Sequence, residues 1–273
     1  MALAVTVLGS GSAMPSPTRG SAGYLVSVGD EPMMLVDAGD GTLERLTQLA
    51  VSPRHLFAVA LTHTHIDHSG GLAPVVFAGY MHKRAAPLTV IGPAARDRHP
   101  GIERFTSLLF GTEGAWQYLH NFEGFGIDAI EVPPSRSASP STVWSHGDVV
   151  VRAVGVPHGS MPSVAYRIDH AGRSICFSGD IAGAHDGLVE LATGADVLVH
   201  DQSLPSRDSE HGANHSPPEE TAANAARAGV RHLVLSHVMP EGDEHLDEMV
   251  RRVRANFGGQ LTVARDFLRV TPT

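Results

Sequence analysis

Short apolar runs, each closed by Gly, Pro, Ser or a single charged residue, recur along the chain. Residues 5–8 and 24–28 read as strands flanking a Gly/Ser/Pro loop. A third run, Met34-Leu35-Val36, stops at Asp37-Ala38-Gly39-Asp40-Gly41, and a helix is expected over residues 43–49. Phe57-Ala58-Val59-Ala60-Leu61 is an apolar strand that stops at Thr62-His63. Further strands are read at residues 88–91, 149–156, 164–168, 174–177, 197–199 and 233–235. Strands lead and single helices are interposed without strict βα alternation. That order predicts two mixed sheets covered by helices, in layers α/β/β/α. One helix can be argued from its ends: Ser216 as N-cap, Pro217 in the first helical position, Glu219 and Glu220 on the positive dipole end. Its Ala-rich body runs to Ala228, and Gly229 supplies the stop. The Pro/Ser-rich residues 133–142 read as an exposed loop.

The chain has 273 residues, which suits one α/β domain spanning residues 1–273. No apolar run approaches the ~20 residues needed to cross a bilayer. The opening Met-Ala-Leu-Ala-Val-Thr-Val-Leu lacks a basic leader and reads as a first strand, so a cytoplasmic location is the expectation, with no membrane partner. The single cysteine, Cys176, excludes an internal disulfide and lies in the apolar run Ser174-Ile175-Cys176-Phe177, as a buried, inert thiol would. The net charge of −9, with no Arg/Lys cluster, argues against coating a nucleic acid through its phosphates. Seventeen histidines are the unusual feature.

Several of those histidines fall in Leu61-Thr62-His63-Thr64-His65-Ile66-Asp67-His68-Ser69-Gly70-Gly71, at the end of an apolar strand. Neutral imidazole and carboxylate are the donors that Zn²⁺ and similar first-row ions prefer. His63 and His65, two apart, point the same way if the chain is still extended there. Asp67 and His68 then turn over and can face a second ion. The plain alternative is a polar loop with incidental histidines.

With these residues in place, the sequence resembles the metallo-β-lactamase superfamily nearly end to end. Asp37 matches the family's first motif, whose carboxylate braces the metal loop, and His63, His65, Asp67 and His68 match the second. His158 in Val156-Pro157-His158-Gly159 matches the third, Asp180 in Ser178-Gly179-Asp180 the fourth, and His237 in Leu235-Ser236-His237 the fifth. The resemblance implies a four-layer αββα fold in which His63, His65 and His158 hold one ion, Asp67, His68 and His237 hold the other, and Asp180 bridges both. Taken singly, His158 reads as a loop residue, Asp180 as a turn residue and His237 as a cap. Two divalent ions, with Zn²⁺ as the first choice and Mn²⁺ or Fe²⁺ as alternatives, would acidify a shared water and imply hydrolysis with hydroxide as nucleophile. A carboxylate at Asp180 sets the chain apart from cysteine-ligated true β-lactamases, and His65 from relatives with Glu there for di-iron redox work.

Within the superfamily the chain looks most like the branch of ribonuclease Z, its related phosphodiesterases and some arylsulfatases. Leu8-Gly9-Ser10-Gly11-Ser12 with Pro15, and Val90-Ile91-Gly92-Pro93, resemble that branch's opening loop and Gly-Pro segment. Val199-His200-Asp201-Gln202-Ser203 followed by His215-Ser216 resembles its His-Glu-Ala-Thr and His-Ser/Thr pair. The resemblance makes His215 a general acid or phosphate donor oriented by Asp201, with Asp where the branch has Glu. The catalytic set is then Asp67, His215 and Asp201. Helix N–H groups just beyond His215 would also favour an anionic substrate.

Ribonuclease Z enzymes carry a long tRNA-gripping arm between the third and fourth motifs, whereas His158 and Asp180 are only 22 positions apart. A small-molecule ester or phosphodiester substrate is therefore expected, and tRNA or other nucleic acid is not. The extra length lies between His68 and His158 and holds Phe105, Phe110, Trp116, Tyr118, Phe122 and Phe125. That segment reads equally as a lid, a homodimer contact or core. The leading function is a phosphodiesterase on small or cyclic phosphodiesters. The alternatives are a lactonase, arylsulfatase or β-lactamase-like hydrolase of the same fold, and a catalytically silent metal-binding module.

Overall fold

A computed structural model describes residues 1–14, 16–135 and 139–273. Pro15 and residues 136–138 of the Pro/Ser-rich stretch lie outside the described residues. Strands β1 (Leu3–Gly9), β2 (Gly23–Val28) and β3 (Glu31–Ala38) form an antiparallel meander. Helix α1 (Thr42–Gln48) leads into β4 (Ala58–Ala60), and α2 (Ile66–Ser69) and α3 (Leu72–Met81) into β5 (Leu88–Pro93). Helix α4 (Ile102–Phe110) then precedes β6 (Ile127–Val132), and β4, β5 and β6 extend the sheet in parallel.

The second sheet repeats this plan. Strands β7 (Ser141–His146), β8 (Val149–His158), β9 (Met161–His170) and β10 (Arg173–Phe177) pair antiparallel. After α5 (Asp186–Ala192), β11 (Val197–Asp201) adds in parallel, and β12 (His232–Ser236) does so after α6 (Pro218–Arg227). Helices α7 (Pro240–Glu244) and α8 (Leu246–Asn256) precede the parallel strand β13 (Gln260–Val263), and β14 (Arg269–Val270) returns to pair with β1. Two seven-stranded sheets result, in the orders β14-β1-β2-β3-β4-β5-β6 and β13-β12-β11-β10-β9-β8-β7.

Strand alternation decides which layer each side chain enters. Met34 and Val36 of β3 face Val197, Val199 and Val234 across the inter-sheet core, while Leu35 faces the helical layer that carries α1 and α3. Leu198, Leu233 and Leu235 face outward under α5, α6 and α8. Each such side chain contributes roughly 1.5–3 kcal/mol relative to its exposed state. The layers are thus α/β/β/α, as the run pattern predicts. Cys176 is buried in the outer layer, and burial pushes its thiol up to about 12. No helix among the described residues is long and apolar enough to cross a membrane.

Three sequence expectations change. Phe57 lies outside β4 and is 40% exposed, stacked on His146 at a ring-centroid distance of 3.7 Å. Ser216 is not the cap of α6. The cap is Pro217 and the first helical residue Pro218, because the Ser216 hydroxyl is drawn to the loop after Asp180, donating to Ile181 O at 2.9 Å and accepting from Gly183 N at 3.0 Å. Pro218 has no N–H, and Glu219 and Glu220 occupy the first turn, paired with Arg252 and Arg207, so the helix start offers little to an anion. At the other end Gly229 does close the helix, at φ 63°, with Gly229 N donating to Ala226 O and Val230 N to Ala225 O.

The aromatic segment formed by α4 and the residues after it packs in the outer layer of the first sheet. Phe110 and Leu119 are buried, and Phe105, Trp116, Phe122 and Phe125 pack half-buried against the same cluster as Tyr80, leaving Tyr118 exposed. It is core rather than lid.

Candidate metal centre

The site forms where strands of both sheets end side by side, the position open α/β sheets generally give to ligands. Asp37 is the last residue but one of β3, held at φ 57°, a conformation costly for a non-glycine residue and typical of functional positions. Its buried carboxylate accepts from Thr62 N at 2.7 Å and from the Thr62 hydroxyl at 3.0 Å, and from His68 Nδ1 at 2.9 Å. The exit of β4 is thereby tied to the first turn beyond it. Tyr166, fully buried on β9, adds a hydrogen bond to Leu61 O at 2.9 Å. Gly179, at φ 58°, must be glycine: a Cβ there would lie 2.8 Å from Thr62 Cβ.

Two groups of donors converge here. In the first, His65 Nδ1 lies 2.9 Å from His63 Nε2 and 3.3 Å from His158 Nε2. Asp180 Oδ2 stands 3.9 Å from His63 Nε2 and 3.7 Å from His158 Nε2. In the second, His68 Nε2 lies 3.0 Å from His237 Nε2, with Asp67 Oδ2 at 3.5 and 3.2 Å from the two nitrogens. Asp180 Oδ1 completes it at 3.3 Å from His68 and 3.5 Å from His237. All seven residues singled out from the sequence are therefore together, and Asp180 touches both groups with different oxygens. Asp67 and His68 share the single turn of α2, and the His68 ring stands 4.1 Å from that of His63 between centroids, so the two groups adjoin.

The far ring nitrogens identify which atoms are bare. His158 Nδ1 donates to Asn214 O at 3.0 Å, and His68 Nδ1 to Asp37. The Thr62 hydroxyl donates to Asp37, so it accepts from His63 Nδ1 at 3.1 Å. Each ring therefore turns its other nitrogen inward, and nitrogens and carboxylate oxygens gathered at these separations need a proton or a metal cation between them. Asp180 Oδ1 is buried with no hydrogen-bond partner. Buried acceptors are seldom left so, and a metal ion is the partner this donor set fits. The residues form His/Asp clusters suited to two metal ions.

The groups differ electrostatically. Burial lowers the pKa of His63, His65 and His158, the last to about 4, which keeps these rings neutral. Burial opposes protonation of His68 and His237 as well, but Asp180 and the other carboxylates around them outweigh it and raise both.

Asp201, at the end of β11, lies beside this centre. Its Oδ2 accepts from His215 Nδ1 at 2.7 Å, so Asp reaches the imidazole despite being shorter than Glu. Burial disfavours the charged ring, yet Asp201 pushes its pKa up to about 9. The His215 ring stands 5.4 Å from that of His158 and 5.6 Å from that of His237 between centroids. Thr62, Asn214 and Ser203, which hold these rings, were not singled out in the sequence. Thr62 and Asn214 are marked in the sequence only by standing next to His63 and His215, and Ser203 only by closing the stretch matched to His-Glu-Ala-Thr.

Between His158 and Asp180 the chain is filled by β9, β10 and tight turns. A cleft of about 480 Å³ opens beside Asp67, lined by Ser12, Met14, Arg19, Asp40, Arg45 and Ile66 among others. Its two arginines are paired, Arg19 with Asp243 at 2.9 Å and Arg45 with Asp266 at 3.2 Å.

A profile described as the Beta-lactamase superfamily domain matches residues 33–238, which include every residue of both donor groups. A curated protein from Mycobacterium bovis named Ribonuclease Z is 33% identical over 281 aligned positions, covering 98% of each chain. Among solved structures, the metallo-beta-lactamase fold protein YhfI from Bacillus subtilis superposes with a TM-score of 0.79 at 23% identity, covering 99% of this chain and 100% of that one. Human tRNase Z, short form, gives a TM-score of 0.77 at 25% identity, covering 99% of both.

Proposed function

The chain belongs to the Beta-lactamase superfamily and is a ribonuclease Z-like, metal-dependent hydrolase, and on that premise we propose that it is a phosphodiesterase acting on small or cyclic phosphodiesters. His63, His65 and His158 are assigned to one ion, Asp67, His68 and His237 to the other, and Asp180 to both. Zn²⁺ is the proposed ion, and Mn²⁺ and Fe²⁺ suit the same donors. The observation that carries this reading is the buried Oδ1 of Asp180, without a hydrogen-bond partner and facing two inward-turned imidazole nitrogens.

Two divalent ions held in these clusters would supply an acidified water and stabilise charge developing on the attacked phosphoryl group. The protein's own part is to set the rings and to move a proton. Asp37, Thr62 and Asn214 O fix the tautomers of His68, His63 and His158 through their outer nitrogens. Asp201 holds His215 through Nδ1 and raises its pKa, which supports His215 as a proton donor at neutral pH. As the bond from phosphorus to the leaving oxygen breaks, that oxygen would take the His215 proton. The proton given up by the attacking water would pass to solvent, from which His215 is recharged, so the net reaction consumes one water.

The short β9–β10 connection, the net charge of −9 and the paired arginines of the cleft support a small substrate. A second reading, cleavage of RNA at a tRNA 3′ end, is favoured by the name Ribonuclease Z on a relative that matches this chain end to end. A rate panel on Zn- and Mn-loaded protein separates these readings. It would hold bis-p-nitrophenyl phosphate, a cyclic nucleotide, precursor tRNA, an aryl sulfate, a homoserine lactone and a penicillin. The diesters should give the highest kcat/KM. Precursor tRNA turned over as well as the small diesters would replace the proposal with the second reading, and a lactone, sulfate or penicillin in first place would remove the phosphodiesterase.

A further inference from the structure

Ser203 sits where the Asp201–His215 pair meets the second donor group, and it is fully buried. Its hydroxyl is in very short contact with Asp201 Oδ1 and lies 2.8 Å from His237 Nδ1. Its backbone N–H donates to the same carboxylate oxygen at 3.1 Å. A serine hydroxyl has one proton to give and lone pairs to receive, and a carboxylate can only receive. The Ser203 proton therefore goes to Asp201, and the hydroxyl oxygen accepts from His237 Nδ1. His237 Nδ1 is 3.7 Å from Asp201 Oδ1, too far for a direct hydrogen bond, so the carboxylate reaches this ring only through the serine. His215 Nδ1 is also 3.2 Å from the hydroxyl, but its nearer acceptor is Asp201 Oδ2 at 2.7 Å.

We propose that Ser203 is a positioning residue through which one carboxylate, Asp201, orients both the proton donor His215 and the metal-facing ring of His237. The inference rests on assigning His237 to the second ion. With Nδ1 directed to Ser203, His237 Nε2 is the nitrogen turned toward Asp67 and Asp180, 3.2 and 3.5 Å away, where an ion would be held. The rings of the first group use other anchors, Thr62 and Asn214 O, and do not depend on Ser203. His237 also has φ 60°, so its backbone is strained and its ring direction relies on an outer tether. Loss of a hydrogen-bond partner behind a metal-bound histidine typically weakens the metal by about 10–100-fold.

The test is a chelator-competition titration of zinc into metal-free wild type, Ser203→Ala, Ser203→Thr and His237→Ala, with thermal melts of the metal-free proteins. Ser203→Ala keeps the backbone N–H to Asp201. It should weaken the second ion by about 10–100-fold and leave the first near its wild-type affinity. Ser203→Thr restores the hydroxyl and should return the second ion to near wild type. Wild-type affinity for both ions in Ser203→Ala overturns the proposal, as does a Thr variant as weak as the Ala variant. If Ser203→Ala does not fold, Ser203→Gly, which also lacks the hydroxyl and keeps the backbone N–H, takes its place in the same comparison. His237→Ala that still binds two ions tightly removes the assignment beneath the proposal, and is read separately from the Ser203 variants.

Discussion

His158 Nδ1 donates to the backbone carbonyl of Asn214 at 3.0 Å, so a ring of the first donor group is fastened to the residue immediately before His215. Gly159 adds to the same junction: its φ is 54°, and a Cβ there would lie 2.7 Å from Asn214 Oδ1. The end of β8 and the segment carrying the proposed acid are thus set against each other. His215 has a further tie through Asp201 to β11, so its position depends on two separate stretches of chain, the ends of β8 and β11.

Asp37 is the first point at which this arrangement can be tested. It is buried and accepts from Thr62 N, the Thr62 hydroxyl and His68 Nδ1. Asp37→Ala leaves those donors without an acceptor and should lower the stability of the metal-free protein by on the order of 3 kcal/mol. Denaturant unfolding at unchanged m-value measures this. A loss within about 0.5 kcal/mol, the range of ordinary surface substitutions, would show that the carboxylate does not brace the loop.

The two donor groups should respond differently to pH. Burial keeps His63, His65 and His158 below the usual imidazole range, so near neutrality they are already deprotonated. Carboxylates hold His68 and His237 above it, so an incoming ion must displace their protons. Second-ion affinity should therefore rise with pH across the neutral range, with proton release on binding, while first-ion affinity stays nearly level. Calorimetric titrations in buffers of different ionisation enthalpy count the protons. Equal pH slopes for both ions would contradict the asymmetry.

The His215 assignment predicts a dependence on leaving group. An activated nitrophenolate needs little protonation, so His215→Ala should be mild there and severe, about 10²–10⁴-fold, on an alkyl diester. Metal content should not change. Asp201 also raises the His215 pKa, so Asp201→Asn should move the alkaline limb of the rate profile to lower pH, as well as giving a weaker form of the same pattern. A uniform drop across leaving groups would make His215 a phosphate-binding residue instead. No drop would return it to a plain loop histidine and bring the lactonase alternative forward.

Much of this was legible because these functional residues follow apolar runs: Asp37 lies at the end of the β3 run, His63 follows β4, His158 closes β8, Asp180 follows β10 and His237 follows β12. Burial on both faces makes such runs continuous and easy to read. The strands that escaped notice were β6, β7, β13 and β14, which are the four sheet edges. An edge strand has one neighbour and stays partly wet, so β7 reads Ser-Thr-Val-Trp-Ser-His with four of its six residues exposed. The anchors behind the rings were hidden for another reason. Ser203 meets His237 across 34 positions and Asn214 meets His158 across 56, and neither the motif that Ser203 closes nor the backbone carbonyl of Asn214 shows which distant ring it meets. Ser216 misled because a good capping residue was claimed by a tertiary partner, the loop after Asp180.

The most direct test of the account is the number of ions the chain holds, measured by elemental analysis after zinc loading and gel filtration, in wild type and Asp180→Asn. Seven donor residues in two groups sharing Asp180 require about two ions per chain in wild type. Asp180→Asn should weaken both together, because its two oxygens face different groups. A wild-type protein that takes up no metal, or an Asp180→Asn variant that keeps both ions at wild-type affinity, would contradict it.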